Sequence, residues 1–285
     1  ALVHCGPFAN IAHGNSSVIA DRIALKLVGA DGYVLTEAGF GSDMGGEKFF
    51  NIKCRASGLQ PSCAVLVTTV RALKLHSGRL PKLSAGSSLP KEYTDESVEL
   101  VREGCCNMVA HLENIRRHGV RAVVAINRFD TDTDAEIAEV ARIAKESGAH
   151  DAVAATHFSE GGAGAVGLGR AVVAACESAD PAADFRHLYS ADSSIKEKID
   201  AIVCGSYGGS GANYSAQAEA RIATYEADPA LRSLPVCMSK TQYSLSDDPT
   251  KLGAPKDFLV EVKDIYVSAG AGFLVASLGA ISFIP

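Results

Sequence analysis

Ala64-Val-Leu-Val-Thr-Thr-Val70 and Val120-Arg-Ala-Val-Val-Ala-Ile126 are the two stretches whose reading decides the fold. Both are nearly continuous apolar runs rich in β-branched residues, the composition of strands covered on both faces. Between them, Asp95 to Arg117 carries apolar residues at helical spacing. Strand, helix and second buried strand together predict a right-handed crossover and a parallel sheet.

The pattern continues outward from this core. Downstream, a helix is expected over Asp134 to Ser147 with Gly148 stopping it, then a short strand over Asp151 to Thr156 and a helix over Ala165 to Ser178. Helices near Ser193 to Cys204 and Ser215 to Tyr225 follow, then strands near Leu234 to Met238 and Phe258 to Val267. Upstream, Asn15-Ser-Ser17 can cap a helix over Val18 to Leu27, Gly32 to Thr36 reads as a buried strand, and Glu47 to Arg55 opens a helix. The expected class is α/β, with mostly parallel sheets and helices on both faces. The segment Ser77 to Thr94 has Pro, Ser and Gly but no periodicity, so a junction at 79–94 is expected to separate two subdomains, 1–78 and 95–285.

Composition narrows the function. The formal charge is -6, which disfavours a chain that wraps nucleic acid, since that binding needs clustered Lys and Arg. No apolar run reaches the roughly 18 residues of a membrane span, so a soluble, intracellular protein is expected. The eight cysteines include no CxxC pair and are read as reduced, with Cys63, Cys204 and Cys237 as small hydrophobes, and no zinc site is expected. The opening Ala1-Leu-Val-His-Cys5 resembles a strand already under way, as in a piece of a longer chain.

Ligands of open parallel sheets bind beyond the carboxyl ends of the strands. Four loops in such places carry unusual residues. Asn10-Ile-Ala-His-Gly-Asn-Ser-Ser17 offers backbone amides at a helix start, which attract anions, with His13 and Ser16 nearby. Thr36-Glu-Ala-Gly-Phe-Gly-Ser-Asp43 places Glu37 and Asp43 around Gly39 and Gly41, where the backbone can approach a phosphate and the carboxylates can hold Mg2+. The alternative there is a turn in which Asp43 bonds its own backbone.

Ile126-Asn-Arg-Phe-Asp-Thr-Asp132 resembles the base-recognition loop of GTP-binding proteins, with Arg128 in place of Lys. The GxxxxGK[ST] phosphate loop that accompanies it is absent from all 285 residues, which disfavours a GTPase. Phe129 can stack on a flat heterocycle or belong to the core. Thr156-His-Phe-Ser-Glu-Gly-Gly-Ala-Gly164 sets His157, Phe158 and Glu160 before a helix, either as a site with a His157–Glu160 proton pair or as a turn and cap.

In order and spacing these segments resemble the C-terminal half of formate–tetrahydrofolate ligases. The residues that carry the likeness are GPFANIAHGNSSVIADRIALKL at 6–27, TEAGFGSDMGGEKFFNIKCRASG at 36–58, VRALKLHSG at 70–78, AINRFDTDTDAEI at 125–137, CMSKTQYSLSDDP at 237–249 and AGAGFLVASLGAI at 269–281. The resemblance implies a P-loop NTPase-like fold whose phosphate loop and catalytic Lys and Arg lie upstream of position 1. It implies ATP with Mg2+, and tetrahydrofolate as substrate: formate takes the γ-phosphoryl group to give formyl phosphate, and N10 of tetrahydrofolate then takes the formyl group.

Residues 1–78 would be the end of the nucleotide-binding domain, and 95–285 the domain that supplies the folate pocket. Phe129, Asp130, Phe158 and Glu160 are the implied folate-binding positions; the family's usual Trp is Phe158 here, and the usual Pro is Asp130. Asn10, His13, Asn15, Ser16, Glu37, Gly39, Gly41, Asp43 and Phe50 would face nucleotide or phosphate, with no metal ligand assigned. The expected partner is a polypeptide carrying the N-terminal half, or a second copy, in cytoplasm or mitochondrial matrix. Activity of the chain by itself is not expected, and the alternative is an inactive homologue serving as a structural subunit.

Overall fold

The structure is a computed structural model that describes residues 15–81 and 88–279. It is a mixed α/β fold in which the chain divides into two compact units: residues 1–60, 187–250 and 255–285 form one, residues 61–186 and 251–254 the other.

The second unit is built on three parallel strands, β1 (Cys63–Thr68), β2 (Arg121–Asn127) and β3 (Asp151–Ala155), in that order. Val65 pairs with Val123, and Ala125 with Val153. The central strand β2 is buried at every position from Ala122 to Ile126, as its composition predicts. One face receives the helix Val166–Glu177, whose Ala171 and Ala175 pack on Val123 and Val153. The helices Val98–Arg117 and Asp134–Glu146 pack on one another and on β2. Both begin with side-chain caps, Ser97 accepting from the Leu100 amide and Thr133 forming a reciprocal capping box with Glu136.

The segment 79–94 is not where the chain divides; the compact units separate at 60/61 and 186/187. The described part of this segment is tied into the second unit by polar contacts that its composition does not announce. Tyr93 is buried and donates its hydroxyl to the Pro81 carbonyl at 2.6 Å. Lys74, from the helix Val70–His76, donates to the carbonyls of Tyr93 and Asp95.

The first unit holds two small sheets. In one, β4 (Gly211–Tyr214) pairs in parallel with β6 (Leu259–Val262); in the other, β5 (Val236–Ser239) is parallel to β8 (Phe273–Ser277), which is antiparallel to β7 (Asp264–Ser268). The single strand expected over 258–267 is thus two strands in different sheets, parted at Lys263. Ile195, Ile199 and Ile202 of the helix Ile195–Ile202 fill the core with Val236, Met238 and Val260.

The helix Val18–Val28 forms as expected, capped by Ser17 accepting from the Ala20 amide at 3.0 Å. Among the described residues no strand forms over 32–36: the one pairing nearby is an isolated bridge between Asn15 and Ala38, and Leu35 is 81% exposed. Helical structure begins earlier than expected, at Ser42, and runs through wide π turns at Ser42–Gly46 and Phe49–Lys53 to Ser57. A Cβ at Gly45 would lie 1.6 Å from the Gly39 carbonyl oxygen, so only glycine lets the loop fold back on this turn.

Candidate functional site

Three adjacent strand ends of the second unit bring chemistry to one edge of its sheet. Past β1, Thr69 caps the helix Val70–His76 and places Arg71 on its first turn. Past β2, the Phe129 amide donates to Asp132 Oδ2 at 2.9 Å and the Asp132 amide returns a bond to the Phe129 carbonyl at 3.0 Å. That reciprocal turn buries the Asp132 carboxylate, and burial raises its pKa above the ordinary value.

It also leaves Phe129 41% exposed, with the Arg71 guanidinium 4.0 Å from the ring centroid. At that separation the contact is a cation–π pair, and Arg71 is held in it by donating to Thr131 Oγ1 at 3.1 Å. Arg128 pairs with Asp134 at 2.8 Å and donates to the Asp132 carbonyl at 3.3 Å. Asp130 is exposed.

Past β3 the expected loop is a short helix, His157–Glu160, followed by a 3-10 turn through Ala165. Phe158 projects there at 98% exposure. Glu160 accepts from Thr156 Oγ1 at 2.8 Å, a contact in line with the turn-and-cap alternative for this loop. Asn127 and Ala155 are register partners, so Phe129 and Phe158 lie two and three residues beyond neighbouring positions of adjacent strands.

In the first unit the acidic glycine loop behaves differently. Asp43 is buried and meets Lys240 Nζ at 2.7 Å, an ion pair in which both side chains are almost wholly covered. Lys240 follows β5, donates to the carbonyls of Thr241 and Ser244, and lies 5.0 Å from the centre of the Tyr207 ring. Burial lowers the Lys240 pKa, and Asp43 opposes that shift.

Glu47, one helical turn from Asp43, is fully buried. Its Oε1 accepts from Asn51 at 2.9 Å, its Oε2 has no hydrogen-bond partner among the described residues, and burial pushes its pKa up to about 7. The Asn51 carbonyl oxygen of the side chain accepts from the Leu188 amide, anchoring this helix within its own unit.

The expected nucleotide-facing residues are therefore dispersed in exposure. Glu37 is exposed, Gly39, Gly41 and Ser16 are half-buried, and Asn15 is buried. Asp43 is committed to Lys240, because a carboxylate in a dry interior needs a cation partner. Phe50 is only 4% exposed and packs edge-to-face on Phe49 with ring centroids 5.8 Å apart, so its ring belongs to the interior. Asn10 and His13 lie outside the described residues. Among the described residues no group of three or more His, Cys, Asp or Glu stands ready to hold a metal ion, and Asp43 fits Mg2+ only if its pair with Lys240 breaks.

Lys240, Glu47, Arg71 and Asp132 were not singled out by sequence reading. Lys240 had the clearest available signal, a cation two residues after the apolar run Val236-Cys-Met238.

The family model for formate–tetrahydrofolate ligase matches residues 1–285. The chain belongs to the formate–tetrahydrofolate ligase family. It is similar to the formate–tetrahydrofolate ligase of Arabidopsis thaliana, 52% identical over 284 residues, covering all of this chain and 44% of the relative. The mitochondrial monofunctional C1-tetrahydrofolate synthase of Homo sapiens is 51% identical over 284 residues, again all of this chain but 28% of the relative. The cytoplasmic C-1-tetrahydrofolate synthase of Schizosaccharomyces pombe is 49% identical over 294 residues, with 31% of it covered. This family member thus spans less than half the length of these curated relatives. No helix among its described residues is long and apolar enough to cross a membrane.

Proposed function

We propose that this chain supplies the tetrahydrofolate-binding part of an intracellular, ATP-dependent ligase that joins formate to tetrahydrofolate, yielding 10-formyltetrahydrofolate through formyl phosphate. The observation that carries the reading is Phe129: an aromatic ring at a strand end, braced by the Asp132 turn, backed on one side by Arg71 and still 41% exposed. An apolar ring held open in this way is suited to stacking on a flat heterocycle. Phe158, beyond the neighbouring strand, offers a second ring for the same pterin. Asp130 and Glu160 stand beside them as candidate partners for its polar edges.

Within this reading the triphosphate and Mg2+ meet Glu37, Gly39 and Gly41, in a P-loop NTPase-like domain. The phosphate loop comes from the part of the relatives' length that this chain does not match, in the same polypeptide or a companion. ATP supplies the phosphoryl group that activates formate; the residues of this chain orient the folate and keep water from the reacting centre.

Replacing Phe129 with Ala is expected to weaken tetrahydrofolate binding about tenfold, roughly 1.4 kcal/mol, and to leave ATP binding unchanged in calorimetric titrations of the full ligase. Equal loss of both ligands, or of neither, defeats the folate assignment. If folate binds but formate- and tetrahydrofolate-dependent ADP release is absent, the inactive-homologue reading replaces that of the enzyme.

A further inference from the structure

A second charged feature of the 61–186 unit lies at the opposite end of its sheet. Arg121 is the first residue of β2, and His150 immediately precedes β3, so both sit at the amino ends of the strands. Seven residues of β2 at about 3.3 Å each put this end roughly 20 Å from the loop that carries Phe129. Here Arg116, Arg121, Arg186 and His150 line a cleft of about 360 Å3, with Asp184 the one carboxylate in its wall.

Each guanidinium is anchored from behind by a carbonyl at the end of a helix. Arg116 Nη1 donates to Ser147 at 3.1 Å, Arg121 Nη2 to Ser178 at 2.6 Å and Arg186 Nε to Arg117 at 2.7 Å. The partial negative charge of a helix C-terminus, about half a unit for each, accounts for arginines being drawn to these ends. It does not exhaust them. A guanidinium has five N–H groups, and one is used in each case.

No carboxylate among the described residues stands within ion-pair distance of any of the three, whereas Arg79, Arg102, Arg128, Arg142, Arg221 and Arg232 all have one. Arg121 Nε is moreover buried without a hydrogen-bond partner among the described residues. The wall is shaped to admit Arg116: a Cβ at Gly148 would lie 2.8 Å from its guanidinium carbon. Several planar forks, fixed in place and short of acceptors, form a recognition surface for carboxylate or phosphate oxygens.

We propose that this cleft binds a multiply charged oxyanion, of the phosphate or polycarboxylate class, at a site separate from the loops at the other end of the sheet. Binding there stabilises the folded chain by mass action, and it does not depend on the folate reading.

The test is calorimetric titration of the 285-residue chain with sodium pyrophosphate and, separately, sodium citrate, each against sodium chloride of matched ionic strength. Saturable binding of either is expected, pyrophosphate the tighter because of its higher charge. Arg121→Gln and Arg186→Gln should each weaken it at least tenfold, while Arg170→Gln, an exposed arginine outside the cleft, leaves it unchanged. Should a variant misfold, the wild-type titration followed through arginine Nε–H resonances stands by itself, with shifts expected at Arg116, Arg121 and Arg186. No saturable binding, an equal loss in Arg170→Gln, or shifts confined to other arginines would overturn the proposal.

Discussion

Lys74–Glu136 in the second unit and Lys240–Asp43 in the first are both buried ion pairs, and their surroundings differ. In the second unit Lys74 meets Glu136 at 2.6 Å and also donates to two carbonyls. Glu136 additionally accepts from the amides of Ser97 and Thr133 at 2.9 and 3.1 Å. Burial would raise the Glu136 pKa, but these hydrogen bonds outweigh it and the net shift is downward.

In the first unit Lys240 and Asp43 are similarly close, yet among the described residues Glu47 beside them keeps one oxygen without a hydrogen bond, and burial shifts Lys240 downward. One cluster is satisfied by its neighbours. The other includes one buried carboxylate oxygen, Glu47 Oε2, with no hydrogen-bond partner among the described residues.

Breaking the pairs gives the largest effects. Lys74→Met leaves Glu136 buried without its cation and is expected to cost about 3–5 kcal/mol in urea unfolding. Lys240→Met should cost a similar amount, about 3–5 kcal/mol, and adding Asp43→Asn should recover part of it. If Lys240→Met proves neutral, the first-unit pair is not the buried interaction that its distance implies.

The Glu47 shift predicts a pH signature between about 4.5 and 7. Between the unfolded value near 4.5 and the folded value of about 7, the folded chain keeps a proton that the unfolded chain has released. Stability contributed by this group is therefore present below about 4.5 and lost as pH rises to about 7, a change of roughly 3 kcal/mol at 1.36 kcal/mol per pKa unit. Glu47→Gln should remove that slope from denaturation measured at a series of pH values. Glu136 works in the opposite sense: its folded pKa is depressed, so its contribution is present above the unfolded value and lost as pH falls. An unchanged slope in Glu47→Gln would refute the assignment.

The smallest effect on stability sharpens the contrast between interior and rim. Phe158→Ala should change unfolding free energy by less than about 0.5 kcal/mol, because an exposed ring has almost no packing to lose. Its expected consequence is weaker tetrahydrofolate binding alone. A large loss of stability would mean that Phe158 is covered in the native protein and is not a free stacking face.

Where segments could be read from sequence, the reason was local. The β2 run is apolar at every central position because both of its faces are covered, and Thr133 with Glu136 signals a helix start by itself. Phe129 and Phe158 were legible as site candidates because aromatic residues directly after strands stand where a parallel sheet presents its ligands. Phe50 and Asp43 were not: a Phe and an Asp near glycines read the same whether they face a ligand or the core. Only the position of Lys240, almost 200 residues downstream in sequence, decides that Asp43 turns inward. The missed split at Lys263 has the same origin, since hydrophobic pattern marks a strand without naming the strand it pairs with.

The sequence by itself determined the α/β class, the order of the second unit's strands and helices, and the resemblance to the ligase family, all properties of local pattern and motif. The tertiary structure decided where the chain divides, which carboxylates are used internally, and that Arg71 and Asp132 converge on Phe129. Those outcomes depend on contacts between distant residues, and on the cost of burying a charge without a partner, which no local pattern records.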